Sequence, residues 1–100
     1  MNIPANGFYV HYKHDQSGSA YNYMYEVVGI VRNTEDKTYA VIYRPLCENN
    51  WLAPAIFQAR PLDMFNESIE KDGLVMPRFR LITDPALIAE LEKVRDRMYQ

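Results

Sequence analysis

The stretch from Tyr21 to Tyr43, YNYMYEVVGIVRNTEDKTYAVIY, constrains the fold more than any other part of the chain. Two runs rich in Val, Ile and Tyr flank a polar connector, Asn33-Thr34-Glu35-Asp36-Lys37, which is the pattern of a long β-hairpin. Tyr21, Tyr23, Tyr25, Val27, Gly29 and Val31 share one parity, so they are predicted to line one face of the first strand. Tyr39, Val41 and Tyr43 do the same in the second. Gly29 falls mid-run, where glycine often marks a bulge or a sharp bend.

Other strand signals surround the hairpin. Gly7 opens Phe8 to Lys13, a strand in which Phe8, Val10 and Tyr12 point one way and Tyr9, His11 and Lys13 the other. His14 to Ser19 is a polar loop. Pro45 ends the strand of Tyr39, because it cannot donate to a ladder. Cys47 to Pro54 reads as a loop carrying Glu48 and the sole tryptophan, Trp51. Ala55 to Arg60 reads as a short fourth strand, and Pro61 to Phe65 as a single tight turn, too short for an α-helix. A polar connection over residues 66–73 ends in the turn signal Asp72-Gly73. Val75 to Ile82 completes the set as a fifth strand, with Pro77 near its start.

The C-terminal segment predicts a helix. Asp84 suits its cap and Pro85 its first position. Leu87, Leu91, Val94 and Met98, with Ile88 beside them, make one apolar stripe opposite Glu90, Glu92, Lys93, Asp96 and Arg97. The expectation is therefore a mainly β fold. Residues 1–82 would form a small, partly open five-stranded barrel of the SH3 type, and residues 83–100 an amphipathic helix packed on the same domain. The alternative for that helix is a homodimer through Leu87, Leu91, Val94 and Met98, against which its shortness counts.

Charge and cysteine content exclude more than they assert. Net charge is −2, and the 11 Lys and Arg residues are spread along the chain, which argues against tight nucleic-acid binding. Cys47 is the only cysteine, so no intrachain disulfide can form, which suits a reducing compartment. The opening MNIPANGFYVHYK has no cationic segment leading into an apolar run, and no apolar stretch is long enough to span a bilayer. A cytoplasmic protein without a membrane partner is expected.

Five blocks resemble a family of small bacterial proteins known as domain of unknown function number sixteen fifty-three. Gly7 to Lys13 resembles its opening G-x-Y-x-H-Y-K, Tyr25 to Val31 its second block, and Tyr39 to Arg44 its third. Arg60-Pro61-Leu62-Asp63-Met64-Phe65 resembles its R-P-x-x-M-F signature, and Pro77-Arg78-Phe79 its closing R-F. The resemblance implies an SH3-like barrel and a bacterial cytosolic setting, and it implies no activity. There are two departures. Gln58 stands where the family usually has tryptophan, and the Leu46–Ala55 loop and the C-terminal helix extend beyond the usual core.

Candidate chemistry is sparse. His11 and His14 are too few for a metal site, and no cofactor is expected. His11 could be a general base, or equally a histidine hydrogen-bonded at a barrel rim. Cys47 has Glu48 beside it, which would raise rather than lower a thiol pKa, so it reads as a spectator. Arg60, at the end of a strand, can grip a carboxylate or phosphate with two prongs, or cap its own turn. The tyrosines could form a stacking platform for peptide or bases, or they could pack in the core.

Three function classes follow. The preferred one is a non-enzymatic module binding a peptide or protein partner through an exposed groove of Tyr9, His11, Tyr43 and Arg60, with Arg44 and Arg78 at its edges. The second is a nucleotide or single-stranded nucleic-acid binder, for which Arg44, Arg60, Arg78 and Arg80 would converge on one face. The third is a small enzyme, for which His11, a nearby acid and Arg60 would share a pocket.

Overall fold

Alternation in strand 1 places two separate cores on the two faces of one sheet. In a computed structural model, which describes residues 2–47 and 57–99, the elements run β1 (Gly7–His11), β2 (Met24–Arg32), β3 (Tyr39–Pro45), β4 (Gln58–Pro61), α1 (Leu62–Phe65), β5 (Ser68–Lys71), β6 (Leu74–Pro77), β7 (Phe79–Leu81) and α2 (Pro85–Met98). The loop read over Cys47–Pro54 beyond Cys47 itself, with Trp51, and the start of the strand read from Ala55 lie outside the described residues. Tyr9 joins Val27, Val41, Tyr43, Leu62, Phe65 and Phe79 on one face. Phe8 and Val10 join Leu46, Ile82, Leu91 and Val94 on the other. Strand β1 is thus buried on both sides, between α1 and α2.

The sheet has the order β4-β3-β2-β1-β7, with antiparallel neighbours throughout. It is not closed into a barrel. Strands β4 and β7 lie at opposite edges, and β5 and β6 pair with each other as a separate hairpin. The expected mainly β fold with a C-terminal helix is present, but five strands lie in an open sheet. The run read as one strand over Val75–Ile82 is two: β6 pairs with β5, and β7 with β1. Pro77 ends the first, and Arg78 carries the chain across, its N–H donating to the Glu67 carbonyl at 2.9 Å and its carbonyl accepting from the Tyr12 N–H at 3.0 Å.

Strand β5 sits where only a polar connection was expected. Its hairpin buries no full face, so Ser68-Ile69-Glu70-Lys71 carries no period-2 apolar signal. The turn is legible: Asp72 and Gly73 both have positive φ, 53° and 78°, as a tight hairpin turn of the primed type requires.

The long hairpin forms, with two corrections. Tyr21 and Tyr23 belong to the turn before β2 and hold φ of 60° and 56°. That turn is made by Asn22, whose side-chain amide donates to the carbonyls of Asp15 and Ser19 at 2.7 and 2.6 Å. Downstream, the register against β3 shifts between Val27 and Gly29. The bulge inverts the parity, so Tyr25, Val27 and Ile30 share the core face, whereas Val31, predicted to share it, is exposed. Gly29 thus marks a bulge as read, although its φ is not positive and a Cβ there would meet nothing within 4 Å.

Helix α2 starts as its sequence predicts. The Asp84 carboxylate accepts from the Ala86 N–H at 3.1 Å, and Pro85 opens the first turn. Leu91 and Val94 are buried against Phe8, Val10, Leu46 and Ile82, with Leu87, Ile88 and Met98 at the margin. Two of the four residues proposed for a homodimer are therefore covered within the chain. Each such side chain contributes about 2 kcal/mol by burial. The far end of α2 is held by charge. Glu26 accepts from Arg44 Nε at 2.9 Å and from Arg95 Nη1 at 3.0 Å, and the Arg44 guanidinium lies 4.1 Å from the centre of the Tyr99 ring.

Candidate functional site

Every strand of the sheet sends a candidate residue to the α1 face. Strand β1 supplies Tyr9 and His11, β2 supplies Tyr25, β3 supplies Tyr43, β4 supplies Arg60 and β7 supplies Phe79. Strict alternation and the antiparallel register produce this row: His11 lies opposite Phe79 and Tyr9 opposite Tyr25, and opposed residues share a face. Phe79 is the hub. Its ring stacks on Phe65 at 4.3 Å and meets His11 edge-on at 4.8 Å, with Tyr25 and Tyr43 at 6.0 and 5.9 Å.

The expected exposed groove of Tyr9, His11 and Tyr43 is not what these residues form. They are 5%, 7% and 6% exposed and make the floor of the face. The reason is packing: the rings of Tyr9 and His11 on β1 and of Tyr43 on β3 lie against Phe65 and Phe79, which takes their apolar surface out of water. The solvent side belongs to residues that sequence reasoning assigned elsewhere. Tyr12 and Tyr23 both lie against the His11 ring, at 4.5 and 5.7 Å, and Tyr23 is 42% exposed. Positive φ is unfavourable for a bulky residue, so Tyr23 keeps its conformation only because the structure around it demands it. The H-Y pair supplies only Tyr12 locally; Tyr23 reaches the histidine from the turn before β2, which no local signal marks.

His11 is a neutral imidazole. Its pKa is lowered from 6.5 to about 4, first by burial and then by the positive charges of Arg60, Lys13 and Arg78. Its Nδ1 accepts from the Lys13 N–H at 3.2 Å, which leaves the ring proton on Nε2. Among the described residues the charged groups that act on it are all cations. A base of the enzyme reading would need an acid to orient it, and none of the described residues contributes one. Burial likewise pushes the Tyr25 hydroxyl up to about 12, so it stays protonated. His14 is spent elsewhere, its Nδ1 meeting the Asn22 carbonyl at 2.7 Å.

The four arginines do not converge. Arg60 lies over Phe79, with 5.3 Å from its guanidinium carbon to the ring centre, and its Nε donates to the Tyr43 hydroxyl over a long 3.4 Å. Arg78 lies 6.0 Å from the centre of the Tyr12 ring. Arg44 is on the α2 face, engaged by Glu26 and Tyr99. Arg80 pairs with Val10 in register and so also belongs to the α2 side. A cleft of about 250 Å³ adjoins the aromatic floor, lined by Asn2, Pro4, Tyr9, Phe65, Asn66, Pro77, Phe79 and Leu81. Among the described residues no cluster of His, Cys, Asp and Glu could hold a metal, and no helix is long and apolar enough to cross a membrane.

No curated protein matches the chain. It is similar to a crystal structure of a protein of the DUF1653 family from Bordetella bronchiseptica, with 28% identity, a TM-score of 0.62, and coverage of 78% of this chain and 86% of that one. Residues 7–81 match the family model described as protein of unknown function, DUF1653, and they hold every residue of the α1-face row. The chain belongs to the DUF1653 family.

Proposed function

We propose that this chain is a binding module for a peptide or protein partner, and that the α1 face is where it binds. Tyr9, His11 and Tyr43 form the floor, and Tyr12, Tyr23, Arg60 and Arg78 meet the partner. The observation that carries this reading is a buried, neutral His11 flanked by two tyrosine rings and acted on, among the described residues, by cations alone. That environment suits recognition, in which aromatic walls supply area and a few polar groups supply orientation. It suits catalysis poorly, because a base of depressed pKa with no orienting acid has little driving force to take a proton at neutral pH. A groove that tracks single-stranded nucleic acid would need a line of cations, whereas Arg44 and Arg80 lie on the opposite face.

The test is a set of two-dimensional amide NMR spectra of the labelled protein, titrated separately with pooled proline-rich and acidic peptides, mononucleotides and short single-stranded oligonucleotides. The expected result is saturable shifts at Tyr12, Tyr23 and Arg60 from a peptide pool. Shifts from the nucleotide pools alone would replace this reading with nucleotide binding. Silence from every peptide pool would refute the peptide reading.

A further inference from the structure

The sheet has a free edge at β7, and the ladder fixes which backbone groups lie along it. Strand β7 pairs with β1 on one side and with no described strand on the other. The Tyr12 N–H donates to the Arg78 carbonyl at 3.0 Å, and the Ile82 N–H donates to the Phe8 carbonyl at 2.9 Å. In an antiparallel ladder, alternate residues bond to the same neighbour. Arg78, Arg80 and Ile82 therefore turn their backbone groups toward β1, and Phe79 and Leu81 turn theirs to the open side. Leu81 is 40% exposed, and no described strand covers its open side.

The side chains along this edge alternate between the two faces. Phe79 and Leu81 lie opposite His11 and Tyr9 and so share the α1 face. There Leu81 borders the cleft of about 250 Å³ with Pro4, Phe65 and Pro77. Pockets for whole small molecules start at about 300 Å³, so this one suits a single apolar side chain. Between Phe79 and Leu81, Arg80 belongs to the α2 side. It is exposed and forms no ion pair among the described residues. A charge on a short edge strand guards against pairing with a second copy, because two copies joined along the whole of β7 would set their Arg80 side chains opposite each other. The same charge favours an incoming strand that carries an acid at that position.

We propose that β7 takes up an extended peptide segment of a partner as a sixth strand of the sheet, with the pattern apolar, acidic, apolar. The proposal rests on the binding-module reading and adds the form in which the peptide binds. The two apolar residues lie opposite Phe79 and Leu81, exchange backbone hydrogen bonds with them, and place one side chain in the cleft. The acid between them lies opposite Arg80 on the α2 side, and its own N–H points away from β7.

The probe is a blocked peptide, Thr-Leu-Glu-Leu-Thr, titrated into the labelled protein and followed in amide NMR spectra. Saturable shifts are expected at Leu81 and its strand neighbours. The Leu81 amide proton, which has no backbone acceptor among the described residues, should exchange with water more slowly in the complex. N-methylation of either leucine removes a donor that the added strand needs and should weaken binding about tenfold or more. N-methylation of the glutamate touches only the outer edge and should leave binding unchanged. Lysine in place of glutamate should weaken binding about fivefold, and Arg80→Glu, at an exposed site, should reverse that preference. No shift at Leu81 from the probe, equal effects of the three N-methylations, or a preference unmoved in Arg80→Glu would each overturn the proposal. If the peptide pools shift Tyr12, Tyr23 and Arg60 while this probe leaves β7 unmoved, the module reading stands and the sixth strand falls. If the probe binds β7 and no peptide reaches Tyr12, Tyr23 or Arg60, the sixth strand stands and the reading of those three residues as the contact surface falls.

Discussion

Acid should unfold this protein through His11 before its carboxylates are fully protonated. In the folded chain the imidazole stays neutral down to about pH 4, whereas in the unfolded chain it takes up a proton from about 6.5. Between those values the unfolded state binds more protons, so stability is intact above 6.5 and is lost as pH falls through the window. The gap is equivalent to about 3 kcal/mol at 1.36 kcal/mol per pH unit. Solvent screening of the cations around the ring reduces this to about 2 kcal/mol. The assay is urea unfolding of wild type and His11→Phe at about pH 7.5, 5.5 and 4.5, with the slope m held common. Phenylalanine keeps a ring against Tyr12, Tyr23 and Phe79 and cannot titrate, so its cost does not vary with pH. Wild type should lose about 2 kcal/mol more than the variant between the extremes. Parallel decline of the two proteins would refute the reasoning, because the loss would then belong to groups other than His11.

Three further perturbations test the packing and the register. Leu91→Ala removes a fully buried side chain from beneath α2 and should cost about 3 kcal/mol in chemical denaturation, with the helix signal and the sheet signal lost together. Glu26→Gln leaves Arg44 and Arg95 side by side without their shared carboxylate and should cost about 2 kcal/mol, a loss that high salt should diminish in a thermal melt. Gly29→Ala should be neutral or stabilise by about 0.5 kcal/mol, since the bulge is built without positive φ and the added methyl meets open space; a clear fall in melting temperature would mean that the bulge needs glycine.

Much of the fold was legible because its signals are local. Turn chemistry over Asn33–Lys37 is visible in the chain, and it is realised: the Asp36 carboxylate takes the Thr38 N–H and hydroxyl at 2.9 and 2.6 Å, while Lys37 adopts φ of 63°. Asp84-Pro85 and the apolar stripe behind it specified α2 from within fourteen residues. The parity of β1 placed Tyr9 and His11 on one face. Where the signal was not local, reading failed. The bulge at Val28 reverses parity with no change in composition. Strand β5 has no buried face to leave a pattern. The break at Arg78 depends on which neighbour each half of the segment pairs with.

The candidate site divides the same way. Sequence alone determined that Tyr9, His11, Tyr43, Arg60 and Arg78 were the residues worth watching, because residue type and strand parity are properties of the chain. Tertiary structure alone decided that Tyr9, His11 and Tyr43 are floor rather than surface, and that Tyr12, Tyr23 and Phe79 enclose the histidine. It also decided that Arg44 is neutralised by Glu26 on the far face, that Arg78 meets Glu67, and that Arg60 forms no ion pair among the described residues. The physical reason is that burial and charge balance are set between strands distant in sequence. A sheet aligns its faces through hydrogen-bond register, and no single strand carries the information about what its neighbours will place beside it.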